Sequence, residues 1–350
     1  MSYEYLNTRV RVMLAKLLKP QQFQELLELR ELGELQSALA ETDYAPEIER
    51  CSVEFSGYEL IEQAIVHHGQ RAFTRLVRIA PEDPKELITL VLERFEVFNL
   101  KTIVRGVHAA VPAAEITRSL YPSILYSSEF YHELLKRETL RGVLDYLLST
   151  GTRYYKPLAE VFPEYERTGK LALLEHALDS FYFGHAQELL RPRDDENARL
   201  VREALGTEAD ILNLVYALLV VESGVQSDEK YRYILEGGRH LSPHAVRELL
   251  ASGDTSDFWK KFARTLYFRK IGAPAEHLSA RQLQERLENL LYAELCRLDL
   301  GQLFDIRMAL SYIWRKSAEM TNLRVIASGL ARRVPRPQIE ANLIPLEVLA

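Results

Sequence analysis

An acidic residue, two further residues, an asparagine and a leucine recur three times along this chain. The copies are Glu96-Val97-Phe98-Asn99-Leu100, Asp210-Ile211-Leu212-Asn213-Leu214 and Glu319-Met320-Thr321-Asn322-Leu323. Their asparagines stand 114 and 109 residues apart. Spacing this even points to one structural unit used three times. Two more landmarks keep the same order. A Thr-x-Tyr turn precedes each copy, ending at Tyr44, Tyr154 and Tyr267. Between turn and asparagine lies an aliphatic-Glu pair in a helical pattern, at Glu62, Glu175 and Glu288. Units at 1–119, 120–238 and 239–350 follow, bounded by Tyr121-Pro122-Ser123 and by the turn from Glu236-Gly237-Gly238 to Pro243. Each is long enough for a small helical bundle.

The local pattern is helical throughout. Tyr3, Leu6, Val10, Met13, Leu14, Leu17 and Leu18 fall at steps of three and four, which is one apolar stripe on a helix. The same period predicts a helix over 57–79 and another over 86–105, running through the first Asn-Leu pair. Alternating strand patterns are scarce, so the chain is expected to be all-α. The segment 211–221 is apolar on every side and is expected to be buried rather than offered to a partner.

Asparagine is a poor helix-interior residue because its amide competes for backbone hydrogen bonds. Three at one point of a repeat imply a packing role. A buried amide donates and accepts at once, so it is suited to pin two helices in one register. Glu96, Asp210 and Glu319, three residues earlier, lie on the same helix face. Glu62, Glu175 and Glu288 read in the same way, as polar pins or surface acids rather than general bases.

Catalytic signals are thin. Neither the Gly-x4-Gly-Lys-Ser/Thr phosphate loop nor a Gly-x-Gly-x-x-Gly turn after a strand occurs. His67 and His68 are adjacent and so do not share a helix face. Ser242-Pro243 interrupts any helix between His240 and His244. Asp194-Asp195-Glu196 is similar to the magnesium-binding acids of all-α prenyl-diphosphate enzymes, but position 198 is Ala where that pattern needs an Asp. Cys51 and Cys296 lack a histidine partner in their sequence context and read as core residues. No catalytic residue, metal or cofactor is expected.

The formal net charge of −6 argues against a nucleic-acid partner, which needs a basic surface. Two cysteines in 350 residues fit a reducing compartment. Neither a leader peptide nor an apolar run of spanning length is visible, so membrane contact is expected to be peripheral.

Taken together, these residues resemble the C subunit of V/A-type rotary ATPases, the counterpart of the d subunit in eukaryotic complexes. The most telling stretch is Tyr312-Ile313-x3-Ser317-Ala318-Glu319-x2-Asn322-Leu323-Arg324-x-Ile326-Ala327-x-Gly329. Glu96 to Lys101, Leu235-Glu236-Gly237-Gly238-Arg239-x-Leu241-Ser242 and Tyr5-x3-Arg9-Val10-Arg11 extend the likeness over nearly the whole chain. Val215 departs from the pattern where the other copies carry Lys101 and Arg324, and Ser317-Ala318 stands where the family often has Lys-Glu. The resemblance implies a non-catalytic central-stalk rotor part, funnel-shaped and pseudo-three-fold. It implies a place on the cytoplasmic face of a membrane proteolipid ring, with central-shaft subunits seated in its cavity, in a complex that moves protons or sodium ions. Membrane contact would come only through the ring, and no homo-oligomer is implied. Two other classes stay open: a free-standing helical adaptor, and an all-α prenyl-diphosphate enzyme.

Overall fold

The computed structural model describes residues 2–225, 227–272, 278–298 and 304–348. Among the described residues there are nineteen α-helices, two short 3-10 helices and no strand, so the chain is all-α. It divides into two compact units, one of residues 1–155 with 295–350, the other of residues 156–294.

The first unit is built on the helix Arg307–Ala331. Buried residues occur on all its sides, among them Met308, Ile313, Trp314, Leu323 and Ile326. Such a helix belongs inside a domain. The helix Gly57–Ile79 lies along it and buries Leu60, Ile61, Ala64, Ile65, Phe73 and Leu76. Gly69 permits the approach: a Cβ there would lie 2.6 Å from Pro122 Cγ and 2.7 Å from Met320 Sδ. The helix Ser2–Ala15 adds the predicted stripe, with Tyr3, Leu6, Val10 and Met13 buried. Pro20 opens the next helix, Pro20–Leu27. The single helix expected over 86–105 is instead two, Glu82–Leu92 and Arg94–His108. The break falls at Glu93, whose buried carboxylate is held from outside the helix by Arg153 and Tyr154.

The second unit centres on the helix Glu196–Glu222. Leu214 and Leu218 are fully buried, Val221 is half-buried and Leu219 is exposed, so the apolar segment 211–221 is core over most of its surface. This helix is long and apolar enough to cross a membrane, yet 78% of its most apolar window is buried. That is the pattern of a core helix. Around it pack Ala172–Leu190, Pro243–Leu250 and Thr255–Phe262.

The three asparagine-bearing helices end alike. Eleven residues after each asparagine the backbone turns left-handed, at Ala110 (φ 54), Gly224 (φ 65) and Arg333 (φ 54). The next residue, always Val, donates its N–H back into the helix: Val111 to Gly106 O at 2.8 Å, Val225 to Val220 O at 3.3 Å and Val334 to Gly329 O at 2.8 Å. This is the six-to-one bond of a Schellman end, where glycine is favoured because a Cβ is strained. Only the second copy has glycine. Arg333→Gly is therefore expected to stabilise the protein by about 0.5–1 kcal/mol, after the entropic cost of glycine. A higher midpoint in thermal unfolding checks this; an unchanged or lower midpoint contradicts it.

Candidate functional site

Each repeated asparagine grips the backbone N–H and C=O of one residue. Asn99 Nδ2 donates to Tyr121 O at 2.9 Å, and its Oδ1 accepts from Tyr121 N at 2.7 Å. Asn213 does the same with Leu235, both bonds at 2.9 Å. Asn322 does so with Ile344, at 3.0 and 2.8 Å. All three amides are buried, and in every case the partner lies 22 residues further on. A carboxamide offers one donor and one acceptor side by side, which matches a peptide N–H and C=O. The asparagine thus holds a non-helical connector, not the second helix expected from the sequence. The connector has no ladder of its own, so its backbone groups need this partner.

The acid one turn earlier collects hydroxyl and N–H donors. Glu96 accepts from Ser123 Oγ at 2.5 Å, from Ile124 N at 3.2 Å and from Tyr131 OH. Asp210 accepts from Tyr267 OH at 2.8 Å and His240 N at 2.7 Å. Glu319 accepts from Tyr44 OH at 2.7 Å and Leu18 N at 2.6 Å, and pairs with Lys316 Nζ. Tyr154 departs from this scheme: its hydroxyl donates to Glu93 at 2.6 Å, one turn before Glu96. Tyr44, Tyr154 and Tyr267 are all buried. Tyr154 meets an acid of the first asparagine region, Tyr267 one of the second, and Tyr44 one of the third.

Burial, followed by the adjoining carboxylate, holds the phenols of Tyr44, Tyr154 and Tyr267 well above their ordinary range, so they remain neutral donors. Burial pulls the Lys316 ammonium down, against the opposing pull of Glu319. Lys316 Nζ also donates to Tyr44 OH at 2.9 Å, and His68 stacks on the Tyr44 ring at 3.9 Å between centroids. Burial raises the Glu96 carboxyl as well.

Asp210 is pushed up to about 6 from an ordinary 3.8, chiefly by burial and against the bonds from His240 and Tyr267. Between those values the folded state holds more proton than the unfolded chain. This contribution to stability is therefore fully present below about 4 and lost as pH rises past about 6. Asp210→Asn removes it. The stability difference between wild type and variant should shift by about 2.5 kcal/mol in the variant's favour from pH 4 to pH 7. Urea titrations across that range check it; a constant difference would contradict it.

The third landmark has three different environments. Glu62 is buried, and Arg324 Nε lies 3.3 Å from its Oε2. Arg324 also donates to Leu120 O at 2.7 Å. Glu175 is half-buried, whereas Glu288 is exposed and accepts from Gln284 Nε2 at 2.8 Å. Arg324 stands two residues after Asn322, and Val215 at that place in the second copy offers no cation.

The remaining candidates are structural. Asp195 caps the helix Glu196–Glu222 by accepting from Ala198 N at 3.0 Å, and Glu196 pairs with Arg199. Contrary to its sequence context, Cys51 has a histidine beside it: His67 Nδ1 lies 3.4 Å from Sγ. The helices Ala45–Cys51 and Gly57–Ile79 fold back on each other and bring the two together. Burial raises the thiol and lowers the imidazole, so both stay neutral and no thiolate is prepared. Among the described residues no group of three or more His, Cys, Asp and Glu is placed to hold a metal. The polar clusters bind main chain and one another, and their chemistry is that of holding.

Sequence reasoning missed Glu93, Ser123, Tyr131, Lys316 and the left-handed turns. The signals were present in part. Glu93 and Lys316 both lie six residues before an asparagine, and Val111-Pro112 matches Val334-Pro335.

Comparison with known proteins matches residues 6–342 to the ATP synthase (C/AC39) subunit. The chain is 29% identical over 353 residues to the C subunit of the A-type ATP synthase of Haloferax volcanii, covering 98% of this chain and 97% of that protein. It is 27% identical over 345 residues to the protein of the same name from Methanococcoides burtonii, covering 98% and 94%. For the Archaeoglobus fulgidus protein the identity is 25% over 346 residues, covering 99% and 97%.

Proposed function

The chain belongs to the ATP synthase (C/AC39) subunit family, and from that premise we propose that it is the non-catalytic central-stalk rotor component of an A-type rotary ATPase. In this reading residues 1–119, 120–238 and 239–350 are three related helical units arranged as a funnel. The funnel rests on the proteolipid ring at the cytoplasmic face of the membrane and receives the foot of the central shaft. Its work is to carry rotation between ATP chemistry and the movement of protons or sodium ions.

The observation that carries the reading is the match with named A-type ATP synthase subunits over nearly all of the chain. The buried clamps support it. A part that transmits torque must resist local opening, and buried, satisfied polar networks make a fold stiff and specific. The tyrosines, acids and asparagines act here as pins within and between the three repeats.

The test is removal of this protein from its complex. Hydrolysis of ATP should persist in the soluble sector while ion pumping is lost, because the two are no longer joined. Purified alone, the protein should hydrolyse neither ATP nor diphosphates. Normal ion transport in a deletion strain would place the link elsewhere in the complex.

A further inference from the structure

The second unit holds a cavity of about 710 Å³ between the end of the helix Ala172–Leu190, the start of Glu196–Glu222 and the turn 236–240. Phe183, Ala186, Leu190 and Leu205 form its apolar floor. Its rim carries Arg191, Arg199, Arg202 and Arg239, against two acids, Glu203 and Glu236. Glu196 and Glu294, beyond the rim, also pair with Arg199 and Arg239, so the unmatched positive charge is that of Arg191 and Arg202.

The arginines are not equally engaged. Glu203 bridges Arg199 and Arg239, at 2.8 and 2.7 Å. Arg202 meets no carboxylate among the described residues. Its Nη2 is instead fixed by the carbonyl oxygens of Leu190 at 2.8 Å and Arg193 at 3.1 Å. This orients the guanidinium while leaving its charge unneutralised. Arg191 is exposed and likewise meets no carboxylate among the described residues. Two unmatched guanidinium groups over an apolar floor, in a space of ordinary ligand size, suit a small anion with an apolar body.

We propose that this cavity binds a small phosphate-bearing organic molecule. Arg191 and Arg202 take the phosphate, and the floor at Phe183 and Leu205 takes the apolar part. Arg199 and Arg239 stay bound to Glu203 and set the far side of the rim. Glu236 limits how much negative charge the rim accepts. The site does not rest on the rotor reading; its turn 236–240 is held in place by the contacts of Asn213 with Leu235 and of Asp210 with His240 N.

Titration calorimetry on the purified full chain tests it, with ATP and inorganic pyrophosphate as probes at constant ionic strength. Saturable binding of both probes shows that phosphate is recognised; tighter binding of ATP shows that the floor contributes. Arg191→Gln and Arg202→Gln should each weaken binding about tenfold, the usual loss with one charged hydrogen-bond donor. Arg232→Gln, which removes an arginine paired with Glu164 elsewhere in the unit, should leave it unchanged. Arg191 is exposed, so its variant remains informative if Arg202→Gln fails to fold. No saturable heat with either probe, or equal affinity in Arg191→Gln and wild type, would overturn the proposal. Binding of an acidic peptide with no response to pyrophosphate would overturn it in favour of a protein partner.

Discussion

Glu319→Gln is expected to destabilise the first unit by about 3–5 kcal/mol, the usual cost of breaking one half of a buried ion pair. Glutamine keeps one acceptor oxygen, enough for Tyr44 OH or Leu18 N but not for both, since these donate to different oxygens of the carboxylate. What it cannot do is neutralise Lys316, which is fully buried and already held below its ordinary range by desolvation. The lysine must then stay charged without a counter-charge or lose its proton, and either is costly. The double variant Lys316→Met/Glu319→Gln should recover most of the loss, because no unmatched charge remains. Denaturant unfolding of the four proteins gives the coupling directly, and about 2–3 kcal/mol is expected. Additive effects of the two substitutions would show that the pair is not a unit.

Asn213→Ala should cost about 3–4 kcal/mol. The substitution strips partners from two backbone groups at once, the N–H and C=O of Leu235, and both hydrogen bonds are buried. Each orphaned group costs roughly 1–3 kcal/mol when water cannot reach it. Asn213→Asp is a sharper probe. It keeps the acceptor for Leu235 N but turns a carboxylate oxygen toward Leu235 O, so it should be at least as damaging as alanine. Hydrogen exchange at the Leu235 amide provides the local readout, with protection falling in both variants. A loss below about 1 kcal/mol, with Leu235 still protected, would show that the clamp is not needed.

The helices and the core were legible because apolar spacing is a local property. The stripe from Tyr3 to Met13 follows from periodicity, and the burial of Leu214 and Leu218 from a segment apolar on every side. The importance of the asparagines was legible too, since a poor helix residue repeated at one place needs a reason. Their partners were not. Tyr121, Leu235 and Ile344 share no side-chain chemistry, and the bond is to their backbone, so no residue type marks them. Glu93 was hidden for a different reason. Sequence spacing singled out Glu96 as the acid of the first copy, but Tyr131 and Ser123 occupy Glu96, and Tyr154 settles one turn earlier. Glu62 and Glu288 show the converse. Their sequence context is alike, yet one is buried beside Arg324 and the other faces solvent.

The asparagine clamps also determine which genetic changes these segments tolerate. Each clamp measures an interval of chain rather than recognising a side chain, so residue identity along the connector can drift while its length cannot. A substitution other than proline at Tyr121, Leu235 or Ile344 leaves the gripped N–H and C=O in place. A single-residue insertion or deletion between asparagine and connector presents the next peptide in the wrong orientation. Over long divergence such a device erases its own signature from the letters of the sequence and preserves it in their count, which is why three connectors so different in composition are still gripped at the same interval.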